Sequence, residues 1–331
     1  MPQSLVLNLV TQSAIAPKYL QGHALQQLFF ILLDLVDPAL GHILRRDKMN
    51  RAYSLRALQL TSPLLAPTEE NCSVQASLET SLQVSEKIKM RWQGLPKEQL
   101  NRHRRQDMPV QLDSLQQTYS STIPAGTDCW WRISFLDDAL FDHLIFLWNQ
   151  LRNETFPLGS ASVKIAYITA DLPGLDWANS CSYPDLYEQA SPYERDIHLQ
   201  FMTPTAFEAD GCTTPLPTAD AIFQPLRKCW NRYSGLVFAP SLIANIVPTH
   251  FDIETQATQL NLSNSFQTVT GCIGHISFRV GGEGDPLITK RINVLADFTR
   301  YCAVGVNTRL GMGIVKRIKG ELQLSHNRRT I

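Results

Sequence analysis

The densest group of chemically suggestive residues is the run 303–315, AVGVNTRLGMGIV. Gly305, Gly311 and Gly313 permit positive φ and let the backbone come close to a ligand. Asn307, Thr308 and Arg309 add polar donors at the tip, and Lys316, Arg317 and Lys319 follow at once. Such a loop can present N–H groups and a guanidinium to a phosphate. It lacks the G-K-[ST] ending of a Walker loop. It closes a helix and opens a strand, the reverse of a dinucleotide-binding turn. The plainer reading is a helix C-cap followed by a tight strand entry. Both readings stand on the sequence alone.

Charge is unevenly spread. Lys plus Arg and Asp plus Glu number 30 each, so the chain is neutral overall. That excludes a uniformly basic nucleic-acid coat and an acidic chaperone-like chain. Yet segments 44–56, 87–105 and 286–331 hold 21 of the 30 basic residues and only 4 of the 30 acidic ones. Solvated helix faces and a basic tail explain this blandly; a polyanion site built from distant segments explains it more sharply. Arg91 beside Trp92, and the run Arg102-His103-Arg104-Arg105, suit backbone contacts and base stacking. Seven scattered cysteines without a C-x-x-C read as reduced thiols, not as a zinc site or a disulfide framework. No H-E-x-x-H or G-x-S-x-G occurs. The longest apolar stretch, 28–33, is far too short for a membrane span. A soluble, cytoplasmic protein is expected, with no signal peptide at its start.

The elements that must position these residues follow from periodicity. Helical spacing is clear over 19–36, with Leu20, Ala24, Leu28, Ile31 and Leu35 on one face, and over 138–151, 218–233 and 288–304. Strand-like segments at 5–10, 52–60, 130–136 and 162–168 surround the first two helices. Segments at 196–202, 235–238 with 248–253, 267–280 and 312–324 surround the last two. The order is βαββαβ twice over, which predicts an α+β protein of two tandem ferredoxin-like domains. They are expected at 1–188 and 189–331, with an insertion at about 61–128 and the glycine-rich loop in the second.

The run 305–313, GVNTRLGMG, resembles the C-terminal glycine-rich signature of the CRISPR-associated endoribonucleases that cut repeat RNA, the sixth Cas family. So do 271–279 (GCIGHISFR), 201–207 (FMTPTAF), Pro215 to Pro217, and Trp230-Asn231. In the first half, Gly22-His23-Ala24, Asp37-Pro38-Ala39-Leu40, Tyr53-Ser54 and 131–137 (WRISFLD) are similar to that family's opening. Order and spacing together carry the resemblance, over most of the chain except the insertion. It implies two ferredoxin-like domains and binding of CRISPR repeat RNA (precursor crRNA), often as a hairpin. Other Cas proteins of an effector complex are possible further partners, and no membrane is implied. It also implies a single cut in the repeat without metal or other cofactor: a 2′-hydroxyl attacks the adjacent phosphate. The products are a 2′,3′-cyclic phosphate and a 5′-hydroxyl.

That reaction needs a base at the 2′-oxygen, an acid at the leaving 5′-oxygen and a cation for the charge on phosphorus. Histidine suits the first two and Lys or Arg the third. His23 is the first candidate. The resembled family commonly carries an active-site histidine at this helix start, and a helix N-terminus attracts phosphate. The plainer reading is a core histidine bonded to backbone. Many members also carry a Leu-His pair after the Asp-Pro turn, where this chain has Leu44-Arg45. Either His42, one turn earlier, substitutes, or Arg45 is a phosphate clamp, or His23 works without a second histidine. Lys48 and Arg51 are further clamps, and Tyr53 or Ser54 would orient the ribose. RNA contacts are expected from Arg46, Arg51, Arg91, Arg102, Arg104 and Arg105. In the loop they are expected from Gly305, Asn307, Thr308, Arg309, Gly311 and Gly313, with Lys316 and Arg317. A non-catalytic repeat-binding subunit is the alternative, and a ferredoxin-like regulatory protein without RNA the third reading.

Overall fold

β1 (Gln3–Thr11) is buried along nearly its whole length, as a near-continuous apolar run demands of a central strand covered on both faces. The structure, a computed structural model, describes residues 2–20, 22–46, 52–60, 122–169, 181–209, 211–262, 265–281 and 285–319. After β1 come α1 (His23–Val36) and α2 (Pro38–Arg46). Between them Asp37 Oδ1 accepts the Leu40 N–H at 2.9 Å, an N-cap just ahead of a helix-starting proline. β2 (Tyr53–Leu55), β3 (Gln59–Leu60), β4 (Asp128–Phe135), α3 (Asp138–Asn149), β5 (Thr155–Leu158) and β6 (Ala161–Thr169) complete the first half. The strand path is β2-β4-β1-β6-β5. Without the edge strand β5, this is a βαββαβ unit whose first strand lies between its last and its third.

The second half holds α4 (Tyr183–Gln189), β7 (Asp196–Thr205), β8 (Phe207–Ala209), β9 (Cys212–Thr214), α5 (Ala219–Tyr233), β10 (Ile246–Leu262), β11 (Ser265–Val280), α6 (Pro286–Cys302) and β12 (Val315–Ile318). Its path, β10-β11-β7-β12, repeats the same order. Along both paths neighbouring strands are antiparallel. The tandem ferredoxin-like architecture therefore holds.

Several local expectations change. The first helix starts at His23, because Pro17–Tyr19 forms a separate 3-10 turn. It buries Leu25, Leu28, Phe29, Leu32 and Leu33, and leaves Leu35 60% exposed. The helix is apolar nearly all round, so spacing alone did not select the face that meets the sheet. Residues 235–238 are not a strand. Phe238 spends its N–H on Asn231 Oδ1 (2.8 Å) and its carbonyl on Arg227 Nη1 and Asn231 Nδ2 (3.0 Å each), leaving nothing for a ladder. Helices α2 and α4 and the β8–β9 hairpin had no counterpart in the sequence reading. The insertion lies outside the described residues up to residue 121, as does the chain beyond residue 319. None of the six described cysteines is in a disulfide, and Cys229 and Cys302 are buried. Among the described residues no helix is long and apolar enough to cross a membrane.

Candidate active site

His23 is the first residue of α1. Gly22 before it takes φ 70, and a Cβ there would meet nothing within 4 Å, so the backbone angle rather than space selects glycine. The Gly22 N–H donates to the Leu310 carbonyl at 3.1 Å, so the glycine-rich loop holds the start of this helix. One turn on, the Gln27 amide nitrogen lies 2.9 Å from His23 Nε2. The Gln27 side chain is thereby placed to orient the imidazole by a hydrogen bond at Nε2. A cleft of about 550 Å³ opens here, lined by His23, Gln27, Phe30, Arg45, Pro157 and Gly159 among others.

Arg45 therefore faces the same cleft as His23, from the other helix. Its guanidinium donates twice to the Asp34 carboxylate, through Nη1 at 2.8 Å and through Nη2, and lies 4.4 Å from the centroid of Phe30. That contact holds the Asp34 carboxyl below the usual range. Gly41 makes room for the pair: a Cβ there would sit 2.2 Å from Asp34 Oδ1. An exposed pair of this kind adds little stability. It fixes where the guanidinium points. His42 lies exposed on α2, and it is not among the residues lining the cleft. Arg46 is likewise exposed. His143 meets Asp37 at 2.9 Å and His198 meets Ser277 at 2.7 Å.

Tyr53 departs from its expected role. It is 1% exposed and stacked on Phe29 at 4.4 Å between centroids. Burial pushes its hydroxyl up to about 12, against the opposing pull of Arg309, then Gln26 and Arg45. The hydroxyl faces Gln26 without the geometry of a full hydrogen bond. Tyr53 is a core residue under the site, not an open ribose contact. Ser54 likewise points inward, donating to the Tyr301 carbonyl at 3.0 Å.

The glycine-rich loop is mostly turned toward the protein. Gly313 takes φ 75, and a Cβ would lie 1.8 Å from the Val304 carbonyl oxygen. Gly305, at φ 83, would clash with the Ala206 carbonyl oxygen at 2.3 Å. Gly311 takes φ 85 and packs near the backbone of Ala57. Gly305, Gly311, Gly313 and Thr308 are all buried within the fold, so these expected RNA contacts face the protein's own interior. Arg317 is also reassigned. Its side chain is 4% exposed, pairs with Glu194 (2.9 Å) and Asp297 (3.3 Å), and donates to the Asn293 carbonyl. Asn307, Arg309 and Lys316 remain partly exposed. The Arg309 guanidinium lies 4.8 Å from the Tyr53 ring, which ties the loop tip to β2.

Lys48, Arg51, Arg91, Arg102, Arg104 and Arg105 lie outside the described residues. The structure thus brings together His23, Arg45, Tyr53 and Arg309, and leaves His42 apart. Sequence reasoning missed Gln27 and Asp34. Gln27 was findable, because residues four apart on a helix are neighbours. Asp34 had no signal, since its meeting with Arg45 depends on the angle between two helices.

Two antiparallel ferredoxin-like sheets in one compact unit, tied by a glycine-rich loop to a histidine at a helix start, define a tandem ferredoxin-like protein. The family model of the CRISPR Cas6 N-terminal domain matches residues 1–102 and 72–188, and that of the CRISPR-associated endoribonuclease Cas6 matches 199–315. The chain belongs to the Cas6 family of CRISPR-associated endoribonucleases. Similar solved structures include a Cas6 (TTHB231) product complex, at 20% identity and TM-score 0.64, covering 96% of this chain and all of that one. A Cas6 (TTHA0078) product complex follows at 17% identity and TM-score 0.61, covering 96% and 99%. Thermus thermophilus Cas6 (TTHB231) has 19% identity and TM-score 0.60, covering 96% and 98%. Comparison with curated protein sequences gives no match.

Proposed function

We propose that this endoribonuclease binds CRISPR repeat RNA, as a hairpin in precursor crRNA, and cuts once in each repeat without a metal ion. In this reading His23 takes the proton from the 2′-hydroxyl. The 2′-oxygen attacks the adjacent phosphorus and the 5′-oxygen leaves with a proton. A 2′,3′-cyclic phosphate and a 5′-hydroxyl result. Arg45 contributes charge to the pentacoordinate phosphorus from across the cleft. The observation that carries the reading is His23 at the positive end of α1, facing the same cleft as a guanidinium. The chain is divided near residue 188, so the first domain supplies these side chains and the second supplies the loop behind them.

The test is cleavage of the cognate repeat in excess EDTA. His23→Ala should slow it by about 10²–10⁴-fold with RNA affinity kept. A substrate with 2′-deoxy at the cut site should not be cut. One observation favours the alternative of a repeat-binding subunit without activity: no second histidine lines the described cleft. Tight binding with no cleavage by the wild type would establish it.

A further inference from the structure

Arg132 is wholly buried in β4. Its electrostatic neighbours are Arg56, Arg300 and Tyr301, and among the described residues no carboxylate pairs with it. A buried charge without a counter-ion is costly, and with Nε and Nη1 meeting no acceptor the contacts of Nη2 are what offset it. Nη2 donates to Ser4 Oγ at 2.7 Å and to the Arg300 carbonyl at 3.1 Å. The next carbonyl, of Tyr301, accepts from Ser54 Oγ at 3.0 Å. Both carbonyls belong to the last turn of α6. A helix leaves these groups unpaired, and they carry its negative end. The first sheet therefore caps the last helix of the second.

The capped end runs directly into the glycine-rich loop. Ala303 turns the chain at φ 54, a conformation unusual for a residue with a Cβ. Farther along, the Leu310 carbonyl receives the Gly22 N–H beside His23. We propose that Arg132, with Ser54, is a positioning residue for the active site: it holds the end of α6, which sets the loop that holds Gly22 and hence His23. The proposal rests on the reading of His23 as the base, and one arm of its test does not.

The experiment compares Arg132→Met, Arg132→Lys and Ser54→Ala in the full chain with synthetic repeat RNA. Single-turnover cleavage, RNA affinity and amide exchange at Gly22 are measured. Arg132→Met should slow cleavage by at least about tenfold while affinity stays within about threefold, since misplacing a catalytic group costs rate before binding. Arg132→Lys should recover part of the rate, and Ser54→Ala should lose less than Arg132→Met. Exchange at Gly22 should rise while exchange in β1 stays protected. Parallel loss of affinity and rate, or a wild-type rate with Gly22 still protected, overturns the proposal. If Arg132→Met does not fold, Ser54→Ala decides on the same readouts. If the wild type never cuts, the reading of His23 fails, and exchange at Gly22 alone decides whether Arg132 positions that helix start.

Discussion

Two helix ends border the glycine-rich loop, and they are finished differently. The C-terminus of α6 is closed: Arg132 and Ser54 fill its last carbonyls from the other half of the chain. The N-terminus of α1 has no side-chain cap, only Gly22, and it opens beside a cleft. A helix end buried between layers must find its partners within the protein. An end at the surface can keep its N–H groups for water or for an incoming phosphate. The difference teaches where to look for function. In the glycine-rich loop the N–H groups of Val304, Val306, Leu310 and Gly313 are spent on backbone carbonyls, and the glycines serve close packing. The open chemistry lies at the uncapped end.

Substitutions at the two ends should separate accordingly. Gly313→Ala strikes the closed side, where positive φ coincides with a backbone oxygen that cannot move away. Its cost should exceed about 4 kcal/mol, read as a collapse in urea midpoint. Arg317→Met leaves Glu194 without its cation and Asp297 with Lys319 alone. A loss of about 3 kcal/mol is expected, with RNA affinity of the folded fraction unchanged. If affinity falls instead, Arg317 reaches RNA after all. On the open side, Gly22→Ala meets only its backbone angle, and should cost about 1–3 kcal/mol. Gly22→Ala as damaging as Gly313→Ala would erase the distinction between the two ends.

Arg45→Gln tests the cleft more gently. Its pair with Asp34 is exposed, so stability should change by less than about 1 kcal/mol. Affinity for repeat RNA should weaken, and the slope of log affinity against log salt should fall by about 1. An unchanged slope would remove Arg45 from the RNA contacts. The smallest effect is in acid. Arg45 holds the Asp34 carboxyl down, and Arg279 does the same for Asp196. Folded values below the unfolded ones mean this stability is present above about pH 3.9 and is lost as pH falls through the folded values. Asp34→Asn should therefore flatten the acid limb of thermal unfolding slightly, and a steeper limb would contradict the pairing.

The sequence carried much of this, and the parts it did not carry share a cause. Helices α3, α5 and α6 were readable because their apolar residues recur at helical spacing; Phe223, Leu226 and Trp230 are buried as spaced. α1 is apolar on most sides, so its period was visible and its buried face was not. His23 was legible from the Gly-His helix start and its resemblance. The company it keeps was not, because Arg45 reaches the cleft only through the packing of α2 on α1. Arg132 passed unnoticed inside 131–137, where the strand pattern marked its position and nothing marked what it meets.

Periodicity and turn chemistry act over a few residues, so the order of strands and helices, the doubled βαββαβ pattern and the place of the glycine-rich loop were determined by the sequence alone. Which face of α1 is buried, whether Arg317 meets solvent or carboxylates, and which end of which helix stays open depend on groups far apart in the chain. Ser54 and Tyr301 meet across 247 residues, and Arg132 and Arg300 across 168. Only the tertiary structure decides such meetings, because burial and hydrogen-bond partnership are set by the neighbours a residue receives in space, not by those beside it in the chain.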